Sequence, residues 1–145
     1  MDNTKDWSPI KLKAVDDQDL QVFSQCLYEG IVVSSEINYD HIAKQFAMAI
    51  ERFTWEHAGE KSHLLMQVLS ILVVNNVEEI DMKKIFNEYK IKSILSISNV
   101  DNNILIMLNE GEVITLKVKK CSCLLEDIGN PFLPATIPAY SKNEL

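Results

Sequence analysis

Three small groups of side chains in this chain have types and spacings that chemistry could use. Cys121 and Cys123 would lie on the same side of a strand. With His57 and His63 from a polar loop they offer thiolates and imidazoles, the donor types of a tetrahedral zinc site. Zinc sites are usually built on C-x₂₋₄-C pairs, and C-x-C is an unusual spacing, so the residues favour no metal. Glu126 and Asp127 could serve as an acid and base pair, yet acidic residues in a first helical turn already answer to the helix dipole. The third group is Arg52, Trp55 and Glu56, an aromatic flanked by opposite charges. Trp and Arg supply large desolvated contacts, so the group suits a protein-binding hot spot. The plainer alternative is that Trp55 closes the edge of the core while Arg52 pairs with a carboxylate such as Glu126 or Asp127. The candidate partner-binding residues are therefore Arg52, Trp55, Glu56, Glu126 and Asp127; no catalytic, cofactor or metal-ligating residue is assigned.

The common reaction motifs are missing. There is no G-x-S-x-G elbow for a nucleophile, and neither G-x-x-x-x-G-K-[ST] nor G-x-G-x-x-G for a phosphate. With 4 glycines in 145 residues, phosphate-cradling loops have almost no raw material. A net charge of -7 repels a phosphate backbone, and the only basic concentration, Lys117, Lys119 and Lys120, is too small for a nucleic-acid footprint. Three cysteines, Cys26, Cys121 and Cys123, make no even-numbered disulfide framework, and the N-terminus lacks a basic start and apolar core, which together imply a reducing, cytoplasmic setting. No apolar run approaches the roughly 18 residues of a membrane span.

The elements that must position these side chains are mostly strands. Composition is that of a globular chain, 47% hydrophobic and 24% charged, and its length suits one domain. Residues 1–9 read as a loose leader, 10–130 as a single domain and 131–145 as an extended, proline-bearing tail. Ile10 to Val15 alternates as a half-buried strand does. Asp16 and Asp17 then precede Leu20, Phe23 and Leu27, one apolar stripe of a helix ending near Gly30. Ile31–Tyr39 and Gln45–Trp55 read as strands around a turn at Asp40–Lys44, with Phe46, Met48 and Ile50 on one face and Glu51, Phe53 and Trp55 on the other. That second face is aromatic at its far end and needs a cover, from the first helix, the tail or a partner. Leu64–Val74 reads as a buried strand, Met82–Tyr89 as a short helix and Ile91–Ile97 as a strand. The clearest feature is a hairpin: Ile104–Leu108 and Val113–Lys120 flank a Gly-bearing turn at Asn109–Glu112. Cys121–Gly129 reads as a strand end passing into about two turns of helix, stopped by Gly129 and followed by Pro131.

Several spaced pieces coincide with one family. Leu12-Lys-Ala followed by Asp19-Leu20, Arg52-Phe-Thr-Trp-Glu56, Val68-Leu-Ser-Ile71, and Leu125-Glu-Asp-Ile-Gly129 with Pro131-Phe132 occur in an order and spacing that resembles domain-of-unknown-function family 2948, small and chiefly alphaproteobacterial proteins. The likeness runs from Leu12 to Tyr140. The chain departs from the family pattern at Phe132, where a Trp is usual, at Leu72, where a basic residue is usual, and at Pro138-Ala-Tyr140, which replaces Pro-x-His. What the resemblance implies is a cytoplasmic bacterial protein without a named activity.

The expected fold is α+β: a twisted, mostly antiparallel sheet or partly open barrel of about seven strands, one helix after the first strand and a short helix closing the chain, pleckstrin-homology-like by analogy. The expected function is a non-catalytic protein-binding or scaffold module, with homodimerisation through a strand edge as one mode. The alternative is a small-molecule binder or small enzyme with a pocket between the sheet and the first helix.

Overall fold

A computed structural model describes residues 7–57, 65–82 and 91–134. In chain order the elements are β1 (Lys11–Ala14), α1 (Asp17–Leu27), β2 (Ile31–Asp40), β3 (Gln45–Phe53), β4 (Gln67–Val74), β5 (Val77–Asp81), β6 (Ile94–Val100), β7 (Asn103–Leu108), β8 (Val113–Val118) and β9 (Cys123–Asp127). Short 3-10 turns at Trp55–His57 and Asn109–Gly111 complete them. The strands form two antiparallel sheets, ordered β1-β9-β4-β3-β2 and β5-β8-β7-β6, and the described residues close no barrel.

The local chemistry of each connection is readable. Asp16 caps α1: its carboxylate accepts from the Asp19 N–H at 2.8 Å, and the Asp19 carboxylate accepts in return from the Val15 N–H at 2.9 Å. Leu20, Phe23 and Leu27 form the buried stripe the spacing predicts. The Asp40 carboxylate accepts from the N–H groups of Ile42 and Ala43, both at 3.0 Å, which shapes the β2–β3 turn. Between β6 and β7 a two-residue turn places Asp101 and Asn102 at φ 51° and 63°, the left-handed pair whose twist suits a tight hairpin. The β7–β8 hairpin is also present, with Glu110 and Gly111 at positive φ in its turn.

The core lies between the two sheets. Phe46, Met48 and Ile50 of β3 and Leu72 and Val74 of β4 meet Ile104 and Ile106 of β7 and Ile114 and Leu116 of β8 in one cluster, with α1's stripe joining it. The sheets are stitched where β2 begins: Glu29 N–H donates to the Ile94 carbonyl at 2.7 Å, Ile94 N–H to that of Gly30 at 2.9 Å, and Val32 N–H to that of Lys92 at 2.9 Å. The free edge of β6 is covered by α1. The Ser24 hydroxyl donates to the Ile97 carbonyl and accepts from the Ile97 N–H, each at 2.9 Å, and the Asp17 carboxylate accepts from the Asn99 N–H at 2.8 Å.

Three expectations are corrected. Nine strands are described where about seven were expected. The strand over Gln45–Trp55 ends at Phe53, and Trp55 begins a 3-10 turn. The helix expected after Cys121 is instead β9, and the analogy to a barrel plugged by a closing helix rested on it. Leu124, Leu125 and Ile128 have helical spacing, but β9 lies between β1 and β4, and two ladders of backbone bonds outweigh the local preference. Its burial alternates accordingly, with Cys123, Leu125 and Asp127 inward. The helix expected over Met82–Tyr89 falls almost wholly outside the described residues.

Candidate functional site

Arg52 shares the inward parity of Phe46, Met48 and Ile50, so β3 carries a guanidinium into the protein, and its side chain is 0% exposed. It reaches across β4 to β9. Its Nε donates to Asp127 Oδ1 and its Nη2 to Asp127 Oδ2, both at 2.8 Å. Nη1 and Nη2 also donate to Glu56 Oε1 and Oε2 at 2.9 and 2.8 Å, and Nη1 to the Phe53 carbonyl at 3.0 Å. These five bonds use the full donor fork of an arginine.

Asp127 is equally committed. Oδ1 accepts from the Ser70 hydroxyl at 2.7 Å as well as from Arg52, and Oδ2 accepts from the Ile10 N–H at 2.8 Å. Ser70 sits on β4, the strand between, in register with Asp127. Burial alone would raise the Asp127 carboxyl; the bonds from Arg52, Ile10 and Ser70 prevail and hold it below the ordinary carboxylate range. Burial likewise opposes the charge on Arg52, and Asp127 and Glu56 hold its pKa above the usual arginine value. Arg52 and Asp127 are thus buried with their charges paired and hydrogen-bonded, Glu56 stays partly exposed, and the cluster clasps β3 to β4 and β9.

Trp55 follows at the surface. Its Nε1–H donates to the Tyr28 carbonyl at 2.7 Å, which ties the turn after β3 to the C-terminal end of α1. The Tyr28 and Trp55 ring centroids are 6.2 Å apart at 45°, and Phe53 lies behind Trp55 at 5.7 Å and 50°. Thr54 fixes the turn from the other side: its N–H donates to the Met66 carbonyl at 2.8 Å, and its hydroxyl oxygen accepts from the Met66 N–H at 2.9 Å. Ser24, Gln25, Tyr28 and Trp55 line an open groove of about 330 Å³. The cover that the aromatic end of β3 requires is thus supplied partly by the first helix.

The structure divides the five residues singled out from sequence. Arg52, Glu56 and Asp127 meet in the ionic cluster, and Trp55 stands beside it at the surface. Glu126 does not join them: neighbours on a strand face opposite ways, so Glu126 and Asp127 cannot converge on one substrate atom as acid and base. Cys121 and Cys123 are buried, and burial pushes both thiols up. Among the described residues no three His, Cys, Asp or Glu side chains are grouped to hold a metal ion, and His63 lies outside them. Sequence reasoning missed Ser70 as the hydroxyl under the clasp, and Ser24, Gln25 and Tyr28 as the groove's helical wall. Ser70 did carry a signal, a hydroxyl within an apolar strand, since a buried polar group demands a partner.

The residues of the clasp and its flanks belong to a stretch that matches a family model described as a protein of unknown function, DUF2948, over residues 10–140. The chain belongs to the DUF2948 family. No curated protein and no solved structure matches it. In this DUF2948 chain Ile10, Arg52, Glu56, Ser70 and Asp127, whose bonds make the clasp, all fall inside the matched residues. No helix among the described residues is long and apolar enough to cross a membrane.

Proposed function

We propose that this chain is a non-catalytic binding module that holds a protein partner in the groove between α1 and the turn after β3. The observation that carries the reading is the Tyr28–Trp55 pair, Tyr28 exposed and Trp55 half-buried, tied by the Trp55 indole to the Tyr28 carbonyl and backed by Phe53. A rigid aromatic surface beside a fully bonded ionic clasp is what a protein-binding hot spot needs: large contact area at little entropic cost. The competing reading, an enzyme or metabolite binder with a pocket against the first helix, asks for convergent polar groups. The groove has few: the Ser24 hydroxyl is engaged with Ile97, and Gln25 is exposed. Three free cysteines support a reducing, cytoplasmic setting for this function.

Tyr28→Ala is the informative variant, because the Tyr28 carbonyl that holds Trp55 survives it. Full-length wild type and Tyr28→Ala, each tagged, would be compared by capture from native lysate and by thermal unfolding. The expected result is a partner retained by wild type and lost by a variant that melts within a few degrees of it. Equal recovery of every captured protein by both would sink the reading, as would a partner that is only a second copy held elsewhere.

A further inference from the structure

We infer that the outer face of the five-stranded sheet is an interface between two copies of this chain, related by a two-fold axis that runs along the strands. The first ground is a strand whose apolar content is enclosed on one side only. β4 reads in sequence as buried on both faces, and in the structure Val68, Leu72 and Val74 are fully buried on the inner side while Leu69, Ile71 and Val73 point outward, half-buried. The register widens that outward strip: Val73 stands between Ala47 of β3 and Leu124 of β9, and Ile71 between Ala49 and Glu126. The other described elements, α1 and the four-stranded sheet, pack against the opposite side. A contiguous apolar strip with a polar margin is the mark of an association surface.

The occupant is identified by how charge and bulk are distributed across the face. Lys11 and Lys13 are exposed on β1 at one margin, in register with Glu126 and Leu124, and Glu126 offsets one of the two lysines. At the other margin Ile37 of β2 is in register with the buried Met48, so its exposed neighbour Glu36 points outward; Glu51 of β3, between the buried Ile50 and Arg52, does the same. A two-fold axis passing between the two β4 strands sets β1 of one copy over β2 of the other, and β9 over β3. The lysine margin then meets the glutamate margin twice, and Leu124 lies over the small Ala47 and Ala49. An axis across the strands would instead set lysines on lysines. Sheets packed face to face keep their strands within about 30° of each other, so the match survives their twist. None of the groove's lining, Ser24, Gln25, Tyr28 and Trp55, lies on this face, so the two surfaces stand or fall separately.

The test is sedimentation equilibrium of the full-length chain from about 5 to about 500 μM, with thermal unfolding to verify that each variant is folded. Wild type should pass from monomer to dimer over that range, and Ile71→Glu should stay monomeric throughout. Two further variants change only exposed side chains and keep the result readable if Ile71→Glu does not fold: Lys11→Glu with Lys13→Glu, and Glu36→Lys. Each should self-associate at least about fivefold more weakly than wild type, and their equimolar mixture should dimerise more strongly than either alone, because opposite charges then face each other at both margins. Wild type that stays monomeric at every concentration overturns the proposal. A dimer that Ile71→Glu leaves intact overturns it as well, since the contact then lies elsewhere. A mixture no stronger than its two components overturns the two-fold arrangement and with it the assignment of a second copy to this face.

Discussion

At the scale of residues, the chain's most consequential choice is a pair of charges on two strands that are not neighbours. Arg52 and Asp127 would each be costly to bury alone, and what makes them tolerable is complete bonding. Arg52→Met should therefore lower stability by about 3–5 kcal/mol, since it strands Asp127 and Glu56. Arg52→Lys keeps the charge but not the five-donor fork, so urea unfolding should place it between wild type and Arg52→Met. The same clasp sets an acid limit. The Asp127 carboxyl is held below its ordinary value in the folded state. Its stabilisation is thus fully present above the unfolded value of about 3.9 and is lost as pH falls through the folded value. Urea unfolding followed from neutral pH downward should show stability falling below about pH 4, and falling less steeply in Asp127→Asn. Equal slopes for the two proteins would contradict the assignment.

At the scale of elements, α1 does two jobs that its apolar stripe does not reveal. Its Ser24 and Asp17 side chains satisfy backbone groups on the outer edge of β6, which keeps that edge from pairing with another chain. Its C-terminal end supplies Tyr28 to the groove. Both depend on how closely the chain turns at Gly30 into β2. A Cβ at Gly30 would meet Ile50 Cγ2 at 2.8 Å and the Leu27 carbonyl oxygen at 2.9 Å, one on each side of the turn. Gly30→Ala should cost about 1–3 kcal/mol by overpacking. It should also perturb the Trp55 indole resonance, because Tyr28 moves with the turn. A neutral effect on both thermal unfolding and that resonance would show the approach to be looser than described.

At the scale of the whole molecule, the two sheets and the helix enclose the Arg52–Asp127 clasp and, at the other sheet, a buried Lys92 paired with Glu112, while the aromatic groove faces out. Much of this was legible in the residues. The α1 stripe, the two β3 faces, the β7–β8 hairpin and the Asp40 turn each follow from local spacing, because a helix or a tight turn is decided by residues within a few positions of one another. The pairing of Arg52 with a carboxylate such as Asp127 was one of two readings open in the sequence; which carboxylate, and the shared hold on Glu56, needed the strand order. β9 shows most clearly where local reading stops. Its alternation of Cys123, Leu125 and Asp127 is masked by a charge on the buried face, and a charge looks buried only when its counter-charge is known. By itself, then, the sequence determined the periodic elements and the absence of common reaction motifs. Only the tertiary structure decided that β9 is a strand, that β4 stands between Arg52 and Asp127, and that Tyr28 meets Trp55. Those contacts join residues far apart in the chain, and no spacing rule reaches across them.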